Sequence, residues 1–166
     1  MAADRIRFST SVVMVKDVGA SRRFYESVMG QNVMLDHGPN VVFAGGFSIW
    51  EAEHANRIIF GGTGGDGVRT GCDNLELYFE VEDVEGAFHL LEEAGASIVH
   101  PVHEEPWGQR TFRCHDPDGH IVEVGEPMEA AIRRLFAGSH TPEEIVSRTS
   151  MPMEVVLQAI GYPRFC

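Results

Sequence analysis

Twenty-five acidic residues against 13 basic ones in a chain of 166 leave a net charge of −12, which repels nucleic acid and anionic membrane surfaces at long range. At 43% hydrophobic and 23% charged, the composition is that of an ordinary globular chain of one domain, with room for an appendage. No apolar run is long enough to span a bilayer and no apolar h-region opens the chain. Three cysteines (Cys72, Cys114, Cys166) without a CxxC pair argue against a disulfide framework, so the expectation is a cytoplasmic protein.

In chain order, "SVVMVKDVGASRRFYESVMG" reads as a strand, an aspartate and an amphipathic helix whose apolar face is Phe24, Tyr25, Val28 and Met29, stopped by Gly30. Three strand candidates follow, "NVMLDH", "NVVFAG" and "FSIWEAE". The glycine-rich "FGGTGGDGVRTG" lacks GK[ST] and opens no helix, which leaves a connector or a lid over a cavity. Then the first pattern returns. In "LELYFEVEDVEGAFHLLEEAGA", at an offset of 66 residues, Val81 matches Val15, Asp83 matches Asp17, Val84 matches Val18 and Glu92 matches Glu26. Val84, Ala87, Leu90, Leu91 and Ala94 form one apolar stripe, ended by Gly95. "SIVHPV", "RTFRCH" and "HIVEV" complete a second β-α-β-β-β unit.

The turn Asp116-Pro117-Asp118-Gly119 separates the last two of these strands: proline pre-sets its φ, the aspartates bond nearby backbone and Gly119 takes positive φ. Glu123 then falls between Val122 and Val124, where a carboxylate is costly to bury unless something pairs with it.

The two units, and above all "WGQRTFRCHDPDGHIVEV", resemble the vicinal oxygen chelate superfamily of glyoxalases, bleomycin-resistance proteins and extradiol dioxygenases; the resemblance covers about residues 7–127. It implies an α+β fold of two βαβββ modules, about 7–60 and 73–127, forming a curled mixed sheet around a cavity. Residues 1–127 would be that domain and 128–166 a C-terminal helical appendage. It also implies a divalent metal in the enzymes of the family. Its slots fall on Glu123, on Glu76 and on Thr10, with Trp50 or Glu51 open for the fourth because a one-residue slip turns a side chain to the other face.

Thr10 departs from the family's usual histidine and is a poor metal ligand. Glu76, Glu123 and Glu51 make an oxygen-rich set suited to Mg²⁺, Mn²⁺ or Fe rather than a tight Zn²⁺. Without a metal, the two carboxyls need a partner such as Arg110, Gln109 or a basic ligand, or one of them holds a proton. Trp50, Trp107, Gln109 and Arg110 are the other pocket candidates, with plain packing as the alternative for the tryptophans. His115 and His120 flank the turn at the sheet rim, and His100 and His103 fall in a loop-like stretch; none is oriented for catalysis by its neighbours in sequence. No catalytic residue is identified.

Beyond Pro127, "MEAAIRRLFAG" reads as a helix, "TPEEIVSRTS" as a helix with a capping box on Thr141 and Glu144, and "MPMEVVLQAIG" as a third. The last two look like a helix-turn-helix, yet the third carries no Lys or Arg, which disfavours DNA. The expectation is that this tail packs on the modules or on a second subunit of a homodimer.

Three functions compete. The first is a small-molecule-binding protein of the bleomycin-resistance kind, its ligand held in the cavity with or without a weakly bound metal. The second is a metal-dependent lyase, isomerase or dioxygenase using Glu76 and Glu123. The third is a ligand-sensing transcriptional regulator acting through the tail.

Overall fold

The computed structural model describes residues 8–61, 69–71 and 74–162. The glycines at 62, 64, 65 and 67, for which a connector or lid was expected, lie outside the described residues, as do Cys72 and Cys166.

The first module runs β1 (Ser11–Val15), α1 (Val18–Arg22, continued as a π-helical turn Arg23–Val28), β2 (Val33–Asp36), β3 (Asn40–Phe43) and β4 (Phe47–Glu51). Its four strands lie in the order β1-β4-β3-β2, with β1 parallel to β4 and the other pairs antiparallel. Asp17 caps α1 by accepting from the Ala20 amide at 3.0 Å. Thirteen positions separate Asp17 from Gly30, against twelve between Asp83 and Gly95 in the second copy. The extra residue is taken up in the π-helical turn, where the Met29 amide reaches back five residues to the Phe24 carbonyl. One face of the sheet is closed by Val13, Val15, Val41, Phe43, Phe47 and Ile49, together with Tyr25. Phe43 stacks on Phe47 with centroids 4.8 Å apart.

"FSIWEAE" ends as a strand at Glu51, and Ala52–Phe60 form a helix, α2, that the strand pattern did not reveal. Ala52 and Ala55 are its buried residues, and Gly61 ends it at a φ of 63°.

The second module repeats the topology: β5 (Glu76–Glu80), α3 (Val84–Glu93), β6 (Ser97–Glu104), β7 (Arg110–His115) and β8 (Ile121–Gly125), in the order β5-β8-β7-β6. Asp83 caps α3 as Asp17 caps α1, accepting from the Gly86 amide at 2.9 Å. Leu77, Phe112, Cys114, Val122 and Val124 fill its core face. His100 and His103 lie inside β6 and not in a loop. Pro101 falls in an edge strand, where proline is tolerated, and the β6–β7 register shifts between Ile98 and His100 and again between His100 and His103. The two mixed sheets, each with its helices, are the expected pair of βαβββ modules, and neither closes into a barrel.

The turn at 116–120 packs with the first unit. Both oxygens of Asp118 accept from the Lys16 amide, at 3.1 and 3.0 Å. Asp116 accepts from the Tyr25 hydroxyl at 2.8 Å and from the amides of Asp118 and His120, both at 2.9 Å. Because the Gly71 amide donates to His120 Nε2 at 3.3 Å, the ring proton is on Nδ1 and faces Asp116. His120 is therefore a buried structural histidine. A side chain at Gly71, whose φ is 67°, would meet the Asp118 carbonyl at 2.3 Å.

The tail forms α4 (Met128–Ala137), α5 (Pro142–Thr149) and α6 (Met153–Ala159), with both halves of the capping box on Thr141 and Glu144 in place. The tail builds a core of its own from Ile132, Leu135, Ile145 and Val156. It is tied to the second module by charge: Arg134 binds Glu126 and Glu104, and Arg148 also binds Glu104. Tail and second module accordingly form one compact unit. Among the described residues no helix is long and apolar enough to cross a membrane.

Candidate functional site

Strand alternation decides which side chains share a face. In the second sheet Tyr78 lies opposite Glu123 and Arg113 lies opposite Glu123 on the other side, so Tyr78, Glu123 and Arg113 form one row. Glu76, two residues before Tyr78, joins the same face. This is the face away from the apolar core, and its side chains converge on one guanidinium. Arg113 donates from Nε to Glu76 at 2.7 Å, from Nη1 to Glu105 at 2.9 Å and from Nη2 to Glu123 at 2.7 Å. Glu123 and Glu105 are buried, with 6% and 8% of their surface exposed, whereas Glu76 is open to solvent.

Arg110 and Gln109 are the side chains that the sequence suggests as partners for Glu123, beside a basic ligand or a held proton. Arg110 belongs to the opposite alternation of β7, is exposed, and pairs in register with Glu104. The sequence "RTFRCH" offers both arginines, and only the β7–β8 register distinguishes them.

The histidines of β6 close a ring around the same arginine. Arg113 Nη1 donates to His100 Nε2 at 3.3 Å, which leaves the His100 proton on Nδ1. That atom faces the Pro101 carbonyl at 2.9 Å and His103 Nδ1 at 3.1 Å. His103 Nε2 lies 3.4 Å from Glu105, which also accepts from the Thr111 hydroxyl at 3.1 Å.

Electrostatics follow from this geometry. Burial pushes the Glu123 carboxyl up to about 7, and a hydrogen bond with Glu76 adds to the rise while the Arg113 charge opposes it. Burial acts the same way on Glu76 but is outweighed by its hydrogen bonds with Arg113 and Glu123, so Glu76 lies below the usual carboxylate range. The two carboxyls are thus pushed in opposite directions, the more buried one upward. Glu105 is held low as well, its burial outweighed by bonds from Arg113 and Thr111.

Beside the carboxyls stands an aromatic flank. Gln109 Nε2 donates to the Tyr78 hydroxyl at 2.7 Å and to the Glu126 carbonyl at 2.6 Å, and its Oε1 accepts from Trp107 Nε1 at 2.9 Å. Gln109 is thereby committed to holding Tyr78 and Trp107, both of which remain partly exposed at 44% and 38%. Burial, followed by the charge of Glu80, pushes the Tyr78 hydroxyl up to about 12.

The other candidates lie in the first unit. Thr10 is exposed and its hydroxyl donates to the Gly46 carbonyl at 2.8 Å. The β1–β4 register pairs Met14 with Trp50 and Val15 with Glu51, so Trp50 shares the face of Thr10 and Glu51 the opposite one. The position equivalent to Glu123 is neither of them: it is Ser48, opposite Val12 as Glu123 is opposite Tyr78. Trp50 donates from Nε1 to His54 Nδ1 at 2.9 Å. Glu51 and His54 line an open depression of about 710 Å³ with Lys16 and Asp17, and none of the residues around Arg113 borders it. Among the described residues, no three His, Cys, Asp or Glu side chains are grouped so as to hold one metal ion.

Of the residues expected from the sequence, the structure brings Glu76 and Glu123 onto one guanidinium and Trp107 onto Gln109, while Thr10, Trp50, Glu51 and Arg110 lie elsewhere; Arg113, Glu105 and Tyr78 were not among the candidates, and His100 and His103 were expected in a loop. For Arg113 and Tyr78 a signal was present, since alternation from Glu123 and Glu76 selects them once the register is known.

Three solved structures show what this chain is similar to. A protein of unknown function from Agrobacterium tumefaciens str. C58 is 35% identical over 76% of this chain and 98% of its own, with a TM-score of 0.69. A glyoxalase-related enzyme from Fulvimarina pelagi aligns at 21% identity over 73% of this chain and 88% of its own, with a TM-score of 0.63. Lactoylglutathione lyase from Agrobacterium tumefaciens aligns at 22% over 72% and 92%, with a TM-score of 0.55. The last two speak for the fold alone. No curated protein matches the sequence. The shared fold supports a general role in small-molecule binding or catalysis. The model of the Glyoxalase-like domain matches residues 8–129, and with the paired βαβββ modules in place the chain belongs to that family, within the vicinal oxygen chelate superfamily.

Proposed function

We propose that this protein binds a small organic cation on the polar face of its second sheet. The ligand's positive group would lie against Glu76 and Glu123, and its apolar body against Tyr78 and Trp107. One observation carries the reading: three glutamates surround a single arginine beside two partly exposed aromatic rings. The excess of carboxyl over guanidinium leaves the cluster negative even with Glu123 protonated, and a cation restores the balance. Aromatic faces add attraction for the same charge. The acidity of the whole chain, −12, supports the reading by drawing cations toward the surface.

Benzamidinium is a suitable probe, since it joins a planar cation to an aromatic ring. Trp50→Phe leaves Trp107 as the single tryptophan of the chain, because the sequence has two. Titration of that variant should quench or shift the Trp107 emission in a saturable way. Glu76→Gln should weaken the binding by about ten-fold, the loss of one charge-assisted contact. Binding of benzoate as tight as that of benzamidinium, or indifference to Glu76→Gln, would refute the proposal.

A further inference from the structure

Three carboxyls near one another ordinarily invite a divalent ion, because hard cations take oxygen ligands from Asp and Glu. Here they are spread around a guanidinium and, as placed, are not grouped to hold one metal ion. The Arg113 guanidinium uses a different nitrogen for each of Glu76, Glu105 and Glu123, at 2.7, 2.9 and 2.7 Å. A metal ion at the same place would have to displace a charged group that already satisfies all three carboxyls, and would then lie against that group's positive charge.

The arginine is also fixed from behind. His100 accepts from Nη1, and the chain of contacts from His100 to His103 to Glu105 returns to the same nitrogen. Four of the five guanidinium N–H groups thereby have partners within the second module. Arg113 is 22% exposed at its side chain, so withdrawing it into water would break four contacts and strand buried Glu123 and Glu105 without a counter-charge.

We infer that Arg113 is the resident cation of this cluster: its guanidinium, and no divalent ion, binds Glu76, Glu105 and Glu123, and removal of the guanidinium leaves the three carboxyls free to close on a divalent cation. The residues present therefore do not fit the metal expected from the sequence. The positively charged partner is built into strand β7 and cannot be lost to a chelator. In the first sheet the equivalent of Arg113 is Val42, opposite Ser48 as Arg113 is opposite Glu123, so the arrangement belongs to the second module alone.

Mn²⁺ titration of the full-length protein, followed by the electron paramagnetic resonance of the free ion, tests this independently of any organic ligand. Wild type should show no Mn²⁺ binding that depends on Glu76 or Glu123. Arg113→Ala should bind one equivalent, its melting temperature should rise with added Mn²⁺, and Arg113→Ala/Glu123→Gln should bind about ten-fold more weakly. Arg113→Met, which keeps more of the lost volume, carries the same expectation if the alanine variant does not fold. A wild-type Mn²⁺ site abolished by Glu76→Gln or Glu123→Gln would overturn the inference. So would a folded Arg113 variant that binds no more Mn²⁺ than wild type. Should neither variant fold, the wild-type titration decides by itself: glutamate-dependent binding refutes the inference and its absence supports it.

Discussion

The two modules are built to one plan and differ in what they do with charge. Both order their strands as first-fourth-third-second, both pair the first strand parallel to the fourth, and both cap their helix with an aspartate three residues before the amide it binds. On the equivalent sheet face, the first module places Thr10, Val12, Val42 and Ser48, and the second Glu76, Tyr78, Arg113 and Glu123. At the turn 116–120, which groups with the first unit, Asp116 and Asp118 instead bind Tyr25, Ser21 and the Lys16 backbone. A duplicated scaffold thus separates two tasks that compete for the same residue types. Carboxylates in one unit fix the backbone and are fully satisfied. In the other they remain partly open on a half-exposed face.

The largest test of that contrast is Asp116→Ala. Asp116 is 4% exposed and accepts from the Tyr25 hydroxyl, two amides and His120. Its removal takes one acceptor from each of four donors, and the expected cost is about 3 kcal/mol or more. Denaturant unfolding measures it. A cost below about 1 kcal/mol would mean that the turn is not the structural charge centre of the first unit.

Arg113→Met should cost less, about 2 kcal/mol at neutral pH, because Arg113 and Glu76 are partly exposed and screened. The loss should shrink as the solution is acidified, since protonated glutamates need no counter-charge. A loss independent of pH would instead indicate packing of the arginine stem.

How much of this was legible follows the same division. The repeat, the aspartate caps, the positive φ of Gly119 and the capping box on Thr141 are local, carried by residues within a few positions of one another, and the sequence showed them. The choice of Arg113 over Arg110 depends on the register between β7 and β8, and no single strand contains that information. The helix α2 was hidden because its first residues continue the apolar strand of Phe47–Glu51. The strand through Pro101 was expected over residues 97–102, and only its continuation to Glu104 was hidden, because the stretch that follows it reads as a loop. The fold was therefore legible almost throughout. Of the residues that meet at the candidate site, Glu76 and Glu123 were candidates from the sequence and Arg113 was not.

Glu123→Gln probes the raised member of the Glu76–Glu123 pair. In the unfolded chain a glutamate titrates near about 4.3, whereas Glu123 in the folded protein is pushed up to about 7. Between those values the native state holds a proton that the unfolded state has released, so this group's contribution to stability declines as the pH rises through the window. Glu76 and Glu105, whose values are lowered, act in the opposite sense, and their contributions are lost as the pH falls below the usual carboxylate range. Glutamine imitates the protonated acid. The variant should therefore match wild type near pH 5 and be the more stable of the two above pH 7, as melting temperatures across the range would show. A wild-type profile that rises steadily from pH 5 to 7, unchanged by the substitution, would place the proton elsewhere.

The smallest effect returns to what the modules share. Asp17 and Asp83 accept from the amides of Ala20 and Gly86 at 3.0 and 2.9 Å, so the two caps are the same interaction made twice. Each replacement by alanine should cost about 1 kcal/mol, the usual value for an exposed N-cap. The two losses should also add in the double variant, because neither cap touches a group bonded to the other. Urea midpoints of the two single variants and the double variant measure this directly. The π-helical turn gives a reason to look for a difference. Only the first helix carries it, and a strained turn that depends on a firm start to the helix would make Asp17→Ala the costlier change. Equal losses would show that the inserted residue is absorbed at the far end of α1 without weakening its first turn, which is the outcome expected from the intact Ser21 amide to Asp17 carbonyl bond at 3.0 Å.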